Sequence, residues 1–401
     1  MTEWMLVDDP DGYRAAVAAL AAGEGPVGVD AERASGFRYF PRAYLVQMYR
    51  RGSGTFLFDP VPLGSLAELG AALADTEWIF HAASQDLACV RELGLEPPRL
   101  FDTELGARLL GLPRVGLAAV AEELLGVSLA KEHSAADWST RPLPEPWLEY
   151  AAQDVDLLPD LRDAMARLFA EAGKERIAAE EFAEVLHRPE KSAAEEPWRR
   201  LSGIHGVRGA RNLAVARELW QARDELAREL DRSPGRLIPD AAIVAVAKAM
   251  PGSRGALSAL KEFTGRASRS ELSRWWEAVE RGRTTDALPS PSPRGTGALP
   301  PPRAWAERNP DAAARLRVAR ERIAALAEES SMPVENLLTP EILRRLAWEP
   351  PQPVTAEAVD AALAEAGARP WQREAAAALI AQAFVDALQA PDTPGAEPSS
   401  E

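Results

Sequence analysis

Apolar and polar positions change period repeatedly along the first 186 residues. Four short runs, "PVGVDAE", "AYLVQMYR", "GTFLFDP" and "EWIFHAA", are apolar, rich in Val and aromatic residues, and of strand length. Around and after them, "SLAELGAALADT", "SQDLACVRELG", "DTELGARLLG", "GLAAVAEELLG" and "PWLEYAAQDVDLLPDLRDAMARLFAEAG" place apolar residues at three- and four-residue spacing, which predicts amphipathic helices. Three strands in succession, then strands alternating with helices, predict an α/β domain over residues 1–186: a mixed sheet flanked by helices. Beyond it the strand pattern stops. Residues 198–283 read as all-helical, with Leu213, Ala216, Leu219, Trp220, Leu226 and Leu230 marking one helix face. Residues 304–388 read the same way.

Linkers separate these blocks. "HRPEKSAAEEP" (187–197) is polar with two prolines, and "TTDALPSPSPRGTGALPPP" within 284–303 is rich in Pro, Ser and Gly. Residues 389–401 read as a disordered tail. A weak echo between "RNLAVARELWQARDELAREL" and "ARLRVARERIAALAEES" suggests that the two helical blocks are diverged copies of one unit.

Composition narrows the chemistry. A length of 401 residues exceeds what one core usually serves, and 46% hydrophobic with 27% charged residues is ordinary for a soluble globular chain. No apolar run reaches membrane-spanning length, and the acidic start "MTEWMLVDDPDG" lacks the pattern of a signal peptide, so the expectation is a cytoplasmic protein without membrane contact. One cysteine, Cys89, excludes an internal disulfide, and with four histidines a thiolate or imidazole metal cage is not expected. Any metal would be held by oxygen. A net charge of −15 argues against nucleic-acid coating by broad electrostatics, though not against a local basic surface.

The candidate chemistry begins at "VGVDAERASG". Asp30 and Glu32 stand two apart on a predicted strand and therefore share a face. With 61 acids, chance alone yields about nine acid-x-acid pairs, so the pair by itself reads first as a solvated turn. Asp86 follows the strand ending in "WIFHAAS" and stands at the start of a helix, where its plain role is to complement the dipole. Tyr150 and Asp154 lie four apart on one helix face, and the plain reading of Tyr150 is a ring packed at the core rim. Taken together, four carboxylates suit hard divalent cations. Two such ions, Mg²⁺ or Mn²⁺, can activate water and stabilise a leaving oxygen at a phosphodiester, with the Tyr150 phenol fixing the direction of attack.

Here the chain resembles the DEDD exonucleases, and within their tyrosine-bearing branch the ribonuclease D family. "VGVDAERASGFRYFPRAYLVQM", "IFHAASQDLACV" and "LEYAAQDVDLL" are similar to its three motifs in order and spacing across residues 25–170, and "FDTELGARLLG" and "DWSTRPL" to the segments between. "WRRLSGIHGVRGARNLAVARELWQARDELARELDRSPGRLIPDAAI" resembles an HRDC domain, a helical nucleic-acid-binding module. The resemblance implies a ribonuclease-H-like exonuclease domain followed by two all-helical HRDC-like domains. It assigns Asp30, Glu32, Asp86 and Asp154 to two metal ions and Tyr150 to the attacking water. The implied activity is 3′-to-5′ removal of nucleotides from RNA, released as 5′-monophosphates; the expected substrates are single-stranded RNA ends such as those of tRNA precursors, and the expected state is a monomer. Arg33, directly after Asp-x-Glu, departs from the aromatic or apolar residue common there.

For holding RNA, the glycine-bearing "WRRLSGIHGVRGAR" offers Arg199, Arg200, Arg208 and Arg211 as phosphate contacts, with Arg217 further along. A solvated helix face is the plain alternative. Trp275 and Trp276 read as core rather than as a base-stacking pair, and His81 as a structural residue at a strand end. A DNA-directed exonuclease and an inactive RNA-binding scaffold are the competing functions; helicase activity is excluded by the lack of a G-x-x-x-x-G-K-[ST] loop.

Overall fold

The computed structural model describes residues 3–129, 136–189, 195–290 and 299–389. The tail from residue 390, and the middles of both linkers, lie outside the described residues. Six strands form one mixed sheet: β1 (Trp4–Val7), β2 (Glu24–Arg33), β3 (Ala43–Arg51), β4 (Gly54–Phe58), β5 (Glu77–Phe80) and β6 (Arg99–Asp102), in the order β1-β4-β3-β2-β5-β6. β2–β3–β4 is an antiparallel meander, whereas β5 and β6 join in parallel beside β2. β2 therefore lies inside the sheet, and its Val27 and Val29 are fully buried. The expected mixed sheet is present, and the structure adds two strands and two 13-residue helices, Pro10–Ala22 and Glu175–His187, that the pattern did not reveal. β1 and β6 are four residues long, too short to display alternation. The first helix, Pro10–Ala22, is capped by Asp9 and buries only Ala16 and Leu20, a stripe too narrow to stand out.

Two helices press on the face of the sheet that carries Asp30. The run read as one long helix from Pro146 is two, Glu145–Asp156 and Leu158–Ala172, with Pro159 in the first turn of the second. Their junction meets β2 at Gly28. A Cβ at Gly28 would stand 2.7 Å from the Val155 carbonyl oxygen and 3.1 Å from Leu158 Cβ. A glycine here is a requirement of close approach, and that approach carries Asp154 against Asp30.

The helical blocks share one plan at a constant offset of 100 residues. Each has a 20-residue helix (Ala210–Glu229, Pro310–Glu329), then a residue in the left-handed region (Asp231 and Ser331, both φ 45°), a short turn, and a helix starting at Asp240 or Pro340. Ala216, Leu219, Ala227 and their counterparts Leu316, Ala319, Ala327 are all buried. The sequence echo therefore has a structural basis. Trp275 is fully buried with its indole N–H donating to the Ala267 carbonyl, a core position as expected; Trp276 packs beside it, partly buried.

Both helical domains dock on the α/β domain through equivalent turns. Asp231 accepts from the backbone N–H of Tyr39 and Phe40, and Arg236 donates to the Gly36 carbonyl while stacking on Phe37. These residues belong to the loop leaving β2. On the opposite flank, Ser331 abuts Gly111, and Lys174 donates to its carbonyl. There the buried Glu181 receives both arms of Arg369 at 2.6 and 2.8 Å and the Trp371 indole N–H at 2.8 Å. No helix among the described residues is long and apolar enough to cross a membrane.

Gly28→Ala tests the close approach. Overpacking against a backbone carbonyl is expected to cost about 1–3 kcal/mol, measured by denaturant unfolding. An unchanged midpoint would show that the helix junction yields freely.

Candidate active site

Each acid reaches the site by a different local device. Asp30 and Glu32 project from β2 by simple alternation, toward the helix junction that Gly28 admits. Asp154 lies near the end of the Glu145–Asp156 helix, and Tyr150, one turn earlier, donates its hydroxyl to the Asp154 carboxylate. Asp86 depends on a tight turn after β5. Ala82 takes a left-handed conformation (φ 66°), followed by a single 3₁₀ turn, Ala83–Gln85. The buried Asp102 holds that turn, accepting from the backbone N–H of Ala82 and Ala83 at 3.0 and 2.9 Å and of Glu104 and Leu105 at 3.0 and 3.1 Å. Asp86 precedes the helix Leu87–Arg91, yet its side chain makes no capping bond. The dipole-complement role is not what its carboxylate does. It turns instead toward the cavity.

The structure brings all five predicted residues into one cavity of about 470 Å³. Carboxylate oxygens of Asp30, Glu32 and Asp154 lie within 4.8 Å of one another. Asp86, 4% exposed, faces the same cavity with its Oδ1 3.2 Å from the Arg33 guanidinium. Leu117, Ala118, Leu129 and Leu158 contribute apolar side chains to the lining, and His81 also borders the cavity. Sequence reasoning did not place Leu117, Ala118 or Leu129 here, since nothing in an amphipathic helix says which apolar residues end at a cavity.

Crowded, desolvated acids resist ionisation. Burial is the main cause in every case, and for Glu32, Asp86 and Asp154 repulsion from neighbouring carboxylates adds to it. Glu32 is pushed up to about 9, Asp86 to about 8 and Asp154 to about 7, and Asp30 is raised as well. His81 goes the other way, lowered to about 4 by burial, and its Nδ1 lies 2.9 Å from the Thr103 hydroxyl. It is therefore a neutral ring at the edge of the acid cavity. Burial likewise pushes the Cys89 thiol up to about 12, which makes it inert.

A cluster of this kind fits hard divalent cations. Its donors are all carboxylate oxygens, three are within reach of one ion, and Asp86 Oδ1 is buried without a hydrogen-bond donor among the described residues. The placement of the arginines is less uniform. Arg200 and Arg208 are exposed. Arg199 instead ion-pairs with Glu196, donates to the Ser290 carbonyl and lies over the Trp198 ring. Arg211 donates to the Thr285 carbonyl at the end of the Leu272–Thr284 helix, and Arg217 pairs with Glu218. Arg199 and Arg211, expected to contact phosphate, have their guanidinium groups on carbonyl and carboxylate oxygens of the chain itself.

The raised acids link stability to pH. In the unfolded chain they ionise near 3.8–4.5, whereas in the fold they hold protons up to about 7–9. Raising the pH through that interval takes protons from the unfolded chain first and so lowers stability. With chelator present, the melting temperature is expected to fall between pH 5 and 9, and Mn²⁺ to reduce that fall. The same slope with and without Mn²⁺ would contradict the cluster as a cation receptor.

Comparisons with known proteins agree with this geometry. A family model described as 3′-5′ exonuclease matches residues 5–170, an HRDC domain model matches 212–279, and a model described as 3′ to 5′ exonuclease C-terminal domain matches 298–384. Ribonuclease D of Escherichia coli K12 is 33% identical over 272 residues, 66% of this chain and 72% of that protein. The crystal structure of Escherichia coli RNase D, an exoribonuclease involved in structured RNA processing, superimposes with a TM-score of 0.69 at 25% identity, covering 96% of this chain and 99% of that one. A crystal structure of a protein from Bifidobacterium adolescentis is similar at TM-score 0.87 and 36% identity, covering 96% and 100%. With an exonuclease model and an HRDC model matched in succession and a ribonuclease D 33% identical over 72% of its length, the chain belongs to the ribonuclease D family of 3′–5′ exoribonucleases.

Proposed function

We propose that the 3′–5′ exoribonuclease activity of this family is carried out here at the acid cavity, with Asp30, Glu32, Asp86 and Asp154 holding two divalent cations, Mg²⁺ or Mn²⁺. The observation that carries the reading is the convergence of three carboxylates within 4.8 Å in a cavity whose burial makes their unpaired charges unfavourable. Bound dications would supply polarisation of the scissile phosphate and a more acidic water.

The chain's own residues do the rest. Tyr150 keeps its proton, because burial and the neighbouring acids raise its phenol well above the ordinary value. Its O–H can therefore donate to Asp154 while its lone pairs accept from a water, orienting that water without deprotonating it. His81 stays neutral above about pH 4 and adds no charge to the cavity. Leu117, Ala118 and Leu129 present an apolar wall on which the terminal nucleotide can pack while its phosphate faces the acids. Arg200 and Arg208, exposed on the first helical domain, are the arginines we assign to RNA phosphates. Precursor tRNA ends as substrate, a monomeric state and a cytoplasmic setting complete the proposal.

A 5′-labelled single-stranded RNA incubated with Mn²⁺ or Mg²⁺ is expected to give a ladder shortening from the 3′ end, with a DNA oligonucleotide of the same sequence degraded more slowly. Asp30→Asn should reduce cleavage by at least about a hundredfold with RNA binding retained. A ladder that persists in excess chelator would overturn the metal assignment. Arg200→Ala with Arg208→Ala should weaken RNA binding and flatten its dependence on salt by about two ions. An unchanged slope would move the phosphate contacts elsewhere.

A further inference from the structure

Three of the four acids converge, and the fourth is held by a cation that the protein itself provides. Arg33 lies directly after Glu32 at the end of β2, where the β2–β3 ladder shifts register between Glu32 and Arg33. Its Nη1 donates to the Gln85 carbonyl at 2.5 Å, and its Nη2 stands 3.2 Å from Asp86 Oδ1. That oxygen has no hydrogen-bond donor among the described residues, so Arg33 is the charge it faces. Asp86 is also the acid missing from the group whose oxygens lie within 4.8 Å. Among the cavity's lining residues Arg33 is the one cationic side chain, and it is about a quarter exposed. It is thus anchored at one end to the turn bearing Asp86 and open to solvent on the other side.

Resting on the reading of the acids as a dication receptor, we propose that Arg33 is a built-in counter-cation. It occupies Asp86 in the metal-free enzyme, competes with a dication for that acid, and passes to a substrate phosphate when ion and RNA enter together. The chemistry supports both halves. A guanidinium satisfies one carboxylate at a smaller charge than a dication, so a metal ion can displace it. Once released, its planar fork is matched to the non-bridging oxygens of a phosphodiester, and its anchor keeps it at the cavity. Asp30, Glu32 and Asp154 would then bind the first ion without RNA, and full loading would wait for substrate. Arg33 on this view contacts both Asp86 and the substrate in turn, which ties ion occupancy to the presence of RNA.

The test is Mn²⁺ binding to the full chain without RNA, followed by calorimetry and by the electron paramagnetic resonance signal of free Mn²⁺. Arg33→Met keeps the stem and removes the charge. It is expected to gain a second bound ion, or to tighten the weaker one by about tenfold or more. Arg33→Lys keeps the charge and should retain the wild-type isotherm. Steady-state cleavage of an RNA oligonucleotide at saturating Mn²⁺ should show KM for RNA raised at least about fivefold in Arg33→Met, with kcat changed less. Unchanged or weaker Mn²⁺ binding in Arg33→Met, beside an active wild type, would overturn the counter-cation proposal alone. Absence of Mn²⁺ binding in the wild type would instead overturn the metal assignment beneath it.

Discussion

Mutual repulsion among buried carboxylates is the constraint around which this domain is built. Water would screen Asp30, Glu32, Asp86 and Asp154 from one another, but the cavity removes much of that water. The acids answer by holding protons far above their usual range. A fold that maintains such an arrangement loses stability as the acids ionise, and it recovers that loss when cations enter.

Three pieces of local structure hold the acids against that repulsion. Gly28 lets a helix junction press onto the strand, so that Asp154 meets Asp30 across a gap no side chain could share. Asp102, itself buried and ionisable, holds the turn that aims Asp86 by accepting four backbone N–H groups. Outside the cavity, the helical domains hold the nuclease domain from two sides. One seizes the loop that continues from Glu32 and Arg33, and the other buries Glu181 beneath Arg369 and Trp371. Both domains make their contact with the nuclease domain through the turn that follows the long helix.

Much of this was legible from the chain. Alternation along "VGVDAE" put Asp30 and Glu32 on one face, and four-residue spacing put Tyr150 beside Asp154; both hold because each concerns a single regular element. What escaped needed three-dimensional proximity. The short strands β1 and β6 carry too few residues for a period, and their pairing is decided by neighbours distant in sequence. Arg199 and Arg211 read as phosphate ligands because a glycine-bearing basic stretch is their local context, yet carbonyls more than 70 residues away claim them. Arg33 stood out only as an unusual residue after Asp-x-Glu. That it reaches Asp86, 53 positions later, depends on β5 lying parallel beside β2.

The central claim is that these four side chains form a receptor for divalent cations. The most direct measurement is an anomalous difference map from crystals of the chain soaked in Mn²⁺. A strong peak among the Asp30, Glu32 and Asp154 oxygens is the predicted result. A map with manganese elsewhere and none at that cluster would contradict it.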